Sequence, residues 1–309
     1  MAARESTASL ERTNLFGPML AIVGVLGFSF KAILVKLAYS WASVDAVTLL
    51  ALRMIYAAPM FAVMAWWASR GAVAPISRRD WWILTWLGFI GYYISSLLDF
   101  LGLEYITAAL ERLVLFLYPT MVVLLSAALF GRRIHGQTVI ALALSYGGIL
   151  LVFAHDMNFG GDAHALAVGG ALVFASALCY SFYLVGAGPV ISRLGSMRFI
   201  AWAMLISAAF VMGQFAATRP LSALAAPFRI QLLALAMALL STVLPTFLIA
   251  EAIKRMGADR TSLIGSLGPV FTIALGYWIL SEPVYAVQLA GAALVLTGVT
   301  LVTLRRKSG

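Results

Sequence analysis

Cysteine occurs once, at Cys179 inside an apolar run, so the chain can form neither an intrachain disulfide nor a cysteine-based metal site. Charge is scarce too, at 11% of residues. No Gly-x-x-x-x-Gly-Lys-Ser/Thr motif occurs, which excludes ATP hydrolysis by a P-loop. No pair of His or carboxylate residues at i, i+4 falls within an apolar run, which argues against a metal carrier or a membrane metalloprotease. No metal and no cofactor is expected. The alternating segments of about ten residues that a membrane β-barrel requires are missing, and the loops leave no room for a soluble catalytic domain. The first apolar run is longer than a signal-peptide core, contains Lys31 and lacks a small-residue cleavage site, so it reads as a retained helix.

What is abundant is apolar surface: 63% of residues are hydrophobic and the mean hydropathy is +0.99, values that belong to a polytopic membrane protein. A bilayer core of about 30 Å needs about 20 apolar residues per helix. Ten such runs lie between turn signals, at about 17–37, 46–68, 81–102, 107–130, 136–154, 165–187, 197–216, 230–252, 258–280 and 285–304. The expected fold is therefore all-α and membrane-integral.

The net charge of +9 invites a nucleic-acid reading, but the basic residues alternate with the loops, as the positive-inside rule predicts. Arg4 and Arg12 precede the first run; Arg70, Arg78 and Arg79 follow the second; Arg132 and Arg133 the fourth; Arg193 and Arg198 the sixth; Lys254, Arg255 and Arg260 the eighth; Arg305, Arg306 and Lys307 the last. The opposite loops hold only Arg112, Arg219 and Arg229. Both termini are thus expected in the cytoplasm, and the partner is a lipid bilayer, not a nucleic acid.

The chain also reads as duplicated. Pro119 and Pro269 are 150 residues apart, and an ungapped alignment around them matches Ala108 with Ala258, Leu113 with Leu263 and Gly148 with Gly298. Phe28-Ser29-Phe30 matches Tyr180-Ser181-Phe182 at a spacing of 152. Each copy holds an odd number of runs, which forces opposite orientations, a plan typical of secondary transporters. The expected organisation is a cytoplasmic tail 1–16, a first five-helix repeat 17–155, an extracytoplasmic linker 156–164, an inverted five-helix repeat 165–304 and a basic tail 305–309, around a central cavity.

Ionisable groups in hydrocarbon cost about 2.5–3.5 kcal/mol on insertion scales, so each needs a partner or a wet cavity. Lys31, Arg53 and Asp99 fall within runs, with Glu111 and Arg112 near the start of the fourth. They are candidates for gating ion pairs, and Asp99 or Glu111 for a coupling proton; static pairing between helices is the alternative. Gly88, Tyr92, Ser95 and Asp99 recur at intervals of four, three and four and form one stripe. Ser176, Tyr180 and Tyr183 form a similar face, as do Gly24, Phe28 and Lys31. Tyrosine joins an apolar body to a hydrogen-bonding tip, which suits a pocket for zwitterions; packing glued by hydroxyls competes as an explanation. Pro59, Pro119, Pro245 and Pro269 each remove a backbone bond within a run, and Gly265 would carry the carbonyl freed by Pro269. Matched kinks at Pro119 and Pro269 are candidate hinges, with fixed kinks the alternative. His155, Asp156, Asn158, Asp162 and His164 cluster in the linker, where a solvated turn explains them better than a cation site.

The pattern of two five-span copies, with Gly257-Ala258-Asp259-Arg260, Ser266-Leu267-Gly268-Pro269-Val270-Phe271, Ser281-Glu282-Pro283 and Gly291 with Gly298 in the second, resembles the EamA-type exporters of the drug/metabolite transporter superfamily. Arg53 resembles an arginine often found in their second span. The first copy departs from the pattern, with Arg132-Arg133 where Glu is usual and Tyr118 before the proline. The resemblance covers 17–304 and implies export of small metabolites, frequently amino acids, by alternating access in a bacterial inner (plasma) membrane. The aromatic-rich interior is most similar to the amino-acid exporter branch. The expected partners are a small-molecule substrate and, as coupling ion, protons. A membrane enzyme on lipid-linked substrates and a passive channel or scramblase are the competing classes; only a carrier saturates and shows counterflow.

Overall fold

The computed structural model describes residues 16–70, 75–131, 134–159 and 162–305. Arg4, Arg12, Arg132, Arg133, Arg306 and Lys307, which enter the charge tally, lie outside the described residues, as does most of the 1–16 segment. The described residues are overwhelmingly helical. They form α1 (Phe16–Trp41), α2 (Ala46–Arg70), α3 (Arg78–Gly102), α4 (Ala108–Leu115 and Tyr118–Phe130), α5 (Gly136–Phe159), α6 (Ala163–Leu194), α7 (Ser196–Thr218), α8 (Phe228–Met256), α9 (Ala258–Gly265 and Gly268–Leu280) and α10 (Ala286–Arg305). In hydrocarbon every backbone polar group must be satisfied within the segment, which is why long apolar runs fold this way. Among the described residues nine helices are long and apolar enough to cross a membrane, and α10 carries a shorter apolar stretch, Ala286–Leu301.

Local chemistry sets the ends. Asp45 accepts from the Val47 and Thr48 amides and caps α2, and Ser77 with Asp80 forms a capping box on α3. Gly195 and Gly257, at φ of 81° and 86°, turn the chain between α6 and α7 and between α8 and α9. The interval between α5 and α6 is shorter than expected: α5 continues to Phe159 and takes in His155 and Asp156, because the helix outlasts its apolar run by one turn. His155 Nδ1 sits 3.2 Å from Asp156 Oδ1, and its ring packs on Tyr285 at 4.8 Å.

The largest core joins α1, α2, α3, α7 and α8 around Leu49, Leu50, Met54, Phe61, Phe100 and Phe215. Helices α5 and α10 pack on each other through glycine. A Cβ at Gly148 would lie 2.6 Å from the Gly291 carbonyl oxygen, and one at Gly298 would collide with the Ala141 carbonyl. Because 148 meets 291 while 141 meets 298, the two helices run antiparallel. Trp66, Trp67, Trp82 and Trp278 point outward, where a membrane interface accommodates them.

The proline positions need correcting. Pro119 and Pro269 do not kink continuous helices: α4 breaks at Phe116–Leu117 and α9 at Ser266–Leu267, and each proline sits in the first turn of the resumed helix. A missing N–H costs nothing there, because first-turn amides have no intrahelical acceptor. Pro245 likewise opens the Leu244–Met256 part of α8, directly after a π-helical segment at Leu239–Val243. The Ser241 and Thr242 hydroxyls both donate to the Met237 carbonyl at 2.9 Å, compensating the disturbed ladder. A second π-helical segment, Phe89–Ile94, lies in α3. It begins 150 residues before the first, the same offset that relates the two prolines.

Candidate functional site

A cavity of about 400 Å³ lies between the two halves of the chain. Phe28 and Lys31 come to it from α1, Arg53 from α2, Tyr92, Ser95 and Asp99 from α3, Arg112 from α4, Tyr180 from α6 and Gly265 from α9. All of these were singled out in the sequence. Tyr183 stands one layer back: its hydroxyl lies 2.9 Å from that of Tyr92, and the rings meet edge to face at 4.8 Å. Glu111 is fully buried behind Lys31. Pro119, Pro245 and Pro269 do not line the cavity, although the breaks beside them do, through Phe116, Tyr118 and Gly265.

The π-helical segment reshapes the stripe expected on α3. Gly88 does not face the cavity; a Cβ there would lie 2.8 Å from the Ala203 carbonyl oxygen, so Gly88 serves the packing of α3 on α7. Gly91 and Ser96 join Tyr92, Ser95 and Asp99 instead, because a wider turn shifts which residues share a face. Gly91 has no room for a Cβ, since the Tyr183 ring occupies that position. Ser95 and Ser176 tie α3 to α6: their hydroxyls lie 3.0 Å apart, and Ser176 Oγ donates to the Ser95 carbonyl at 2.8 Å.

The ionised groups form one cluster. Lys31 Nζ is 2.7 Å from Asp99 Oδ2 and 3.2 Å from Glu111 Oε1. Arg53 donates to Ser96 Oγ at 3.2 Å and stacks over Phe100 at 5.0 Å. Arg112 lies against Gly268, where a Cβ would meet its Nη2 at 2.7 Å, so the glycine before Pro269 makes room for a guanidinium from the other half. Glu251, by contrast, pairs with Arg255 on its own helix at 2.7 Å.

The two ends of the cavity differ. At one end the lining reaches Ile253, near the end of α8, and Thr261, near the start of α9. At the other it stops at Lys31, Arg53, Asp99 and Arg112. Beyond them Lys36 donates to the Leu103 and Ile106 carbonyls, Tyr39 to the Phe100 carbonyl, and Glu282 accepts from the Ala108 amide at 3.0 Å. That end is plugged.

Sequence reasoning missed Thr242, Thr246 and Thr261, which line the cavity from α8 and α9. The 150-residue offset offered a signal, since it pairs Tyr92 with Thr242.

The family model described as EamA-like transporter matches the chain twice, at residues 15–154 and 167–304. An uncharacterized transporter of Bacillus subtilis, YcbK, is 29% identical over 304 residues, covering 96% of each chain. A protein of Escherichia coli K12 described as a probable amino-acid metabolite efflux pump is 25% identical over 199 residues, 62% of this chain and 66% of its own. A solved structure superposes with a TM-score of 0.65 at 20% identity, covering 95% of this chain and 99% of its own, which is a likeness of fold. With both halves matched, the chain belongs to the EamA-like transporter family and is a multi-pass membrane transporter built from two copies of one domain.

Proposed function

We propose that the protein exports small metabolites, amino acids first among them, by alternating access through the cavity between two inverted five-helix copies, ten membrane helices in all. The single observation that carries this is the cavity: both copies line it, its volume of about 400 Å³ falls in the usual range of about 300–1,000 Å³ for small-molecule sites, and it is closed off beyond Lys31 while its lining reaches the exposed Ile253 at the other end. The equal spacing of the helix breaks and π-helical segments supports duplication, and the antiparallel crossing of α5 and α10 supports inversion. The amino-acid reading draws on the tyrosines and hydroxyls of the lining and on the description of the Escherichia coli relative.

With cytoplasmic termini in a bacterial inner membrane, the open end faces the cytoplasm. Substrate then enters past Ile253 and Thr261 and meets Phe28, Tyr92, Ser95 and Tyr180. The Lys31–Asp99–Glu111 cluster is the outer gate, and it parts when the copies rock. The breaks at Phe116–Leu117 and Ser266–Leu267, held by Pro119 and Pro269, are the flexing points. The test is counterflow in proteoliposomes loaded with one unlabelled amino acid. Saturable uptake of its labelled form, across a panel and with and without a pH gradient, identifies a carrier and shows whether protons drive it. Linear, non-saturable flux points to a channel, and no exchange by folded protein withdraws amino acids as the substrate class.

A further inference from the structure

The charge that the cavity presents is positive. Five ionisable side chains form its plugged end: Lys31, Arg53 and Arg112 against Asp99 and Glu111. With all five ionised the sum is one positive charge. Both carboxylates form their salt bridges with Lys31, and all four of their oxygens are shut away from solvent. Lys31 is 17% exposed on the cavity side of this pair, and Arg112 is half-buried with an Nε that donates to no described residue. Arg53, only 4% exposed, has Ser96 and the Phe100 ring as partners but no carboxylate in salt-bridge contact, and its Nε is also unused. An uncompensated cation at membrane depth is costly, and a guanidinium fork is shaped to take two oxygens of one anion.

From this geometry we infer that the cavity is an anion site, taking a carboxylate-bearing solute of net charge −1, such as an organic acid or an N-acylated amino acid, with its carboxylate on Arg112 and beside Lys31. Such a solute neutralises the surplus charge, whereas a zwitterion leaves it and finds no accessible carboxylate for its ammonium. The tyrosines at positions 92, 118 and 180, which share the cavity, give the remainder of the solute an apolar wall with polar tips. The inference rests on the transporter reading and narrows its substrate class from free amino acids to anionic carboxylates, but the site itself is a matter of binding.

The test separates the two. Dissociation constants for the purified full-length protein are measured by isothermal titration with N-acetyl amino acids (net −1), free amino acids (zwitterions) and amino-acid amides (net +1), each on Ala, Leu and Phe side chains. The N-acetyl compounds are expected to bind about tenfold or more tighter than the zwitterions, and the amides not at all. Arg112→Gln should remove that order, while Arg112→Lys, which keeps the charge, should retain part of it. Equal affinity across the charge series, an unchanged order in Arg112→Gln protein that stays monodisperse, or no binding by any anion overturns the inference. Counterflow of a zwitterion without anion binding would leave the transporter reading intact, and anion binding without exchange of any solute would overturn only that reading.

Discussion

Ser29 Oγ donates to the carbonyl of Gly268 at 3.1 Å, reaching from α1 to the break in α9 immediately before Pro269. Its counterpart 152 residues on, Ser181, donates from α6 to the carbonyl of Tyr118, at 3.2 Å, immediately before Pro119. Each serine also bonds back to its own helix, Ser29 to Val25 and Ser181 to Ala177. The Phe-Ser-Phe and Tyr-Ser-Phe segments thus hold each copy to the broken helix of the other. This is the contact expected to change if the copies rock.

Each of Ser29→Ala and Ser181→Ala deletes one interhelical hydrogen bond, worth about 0.6 kcal/mol between membrane helices. Both variants should stay folded, with small drops in thermal midpoint, and should change transport rate more than apparent affinity. A normal rate in the double variant would show that the breaks do not move during transport.

Lys31→Ala leaves Asp99 and Glu111 facing each other without their salt-bridge partner, with Arg53 and Arg112 the remaining cations of the cluster. Removing one partner of a buried pair costs about 3–5 kcal/mol, so this variant should lose much of its stability in detergent. Adding Glu111→Gln should recover part of it by removing one of the two opposed charges. Equal midpoints for the single and double variants would show that the two carboxylates do not depend on Lys31.

Gly91→Ala puts a methyl group where the Tyr183 ring lies. Overpacking of this kind costs about 1–3 kcal/mol, and here it pushes α6 away from the cavity-lining turn of α3. Weaker substrate affinity is expected, with partial recovery when Tyr183→Ala is added. An unchanged affinity and midpoint in Gly91→Ala would mean that this contact does not shape the cavity.

At the plugged end, Asp45 lies outside the helices and accepts from Thr48 and Arg219. Burial alone would raise its carboxyl, but those donors outweigh it and hold the group below its ordinary 3.8. A depressed carboxylate contributes stability in full above its ordinary value, and the contribution fades as pH falls through the lower folded value. Asp45→Asn should therefore flatten the acid limb of the stability profile below about pH 4. The effect should shrink in high salt, because the pair is partly exposed; identical acid limbs would assign it no role.

The membrane class, the duplication and most of the cavity residues were legible in the chain, because each leaves a local trace. Long apolar runs have no other stable solution in a bilayer, ionisable residues within them must meet partners or water, and a repeated Pro, Gly and Ser at one spacing survives sequence drift. Only the tertiary structure decided that Pro119 and Pro269 begin helices instead of bending them, that the π-helical segment of α3 turns Gly91 and Ser96 toward the cavity and Gly88 away, and that both carboxylates form their salt bridges with Lys31, leaving the half-buried Arg112 without one. Those outcomes depend on which helix lies opposite which, on a Tyr183 ring seated on a glycine and a guanidinium seated on another. Spacing along one chain holds no information about the partner across a gap, and that partner sets both the register of a turn and the ownership of a charge.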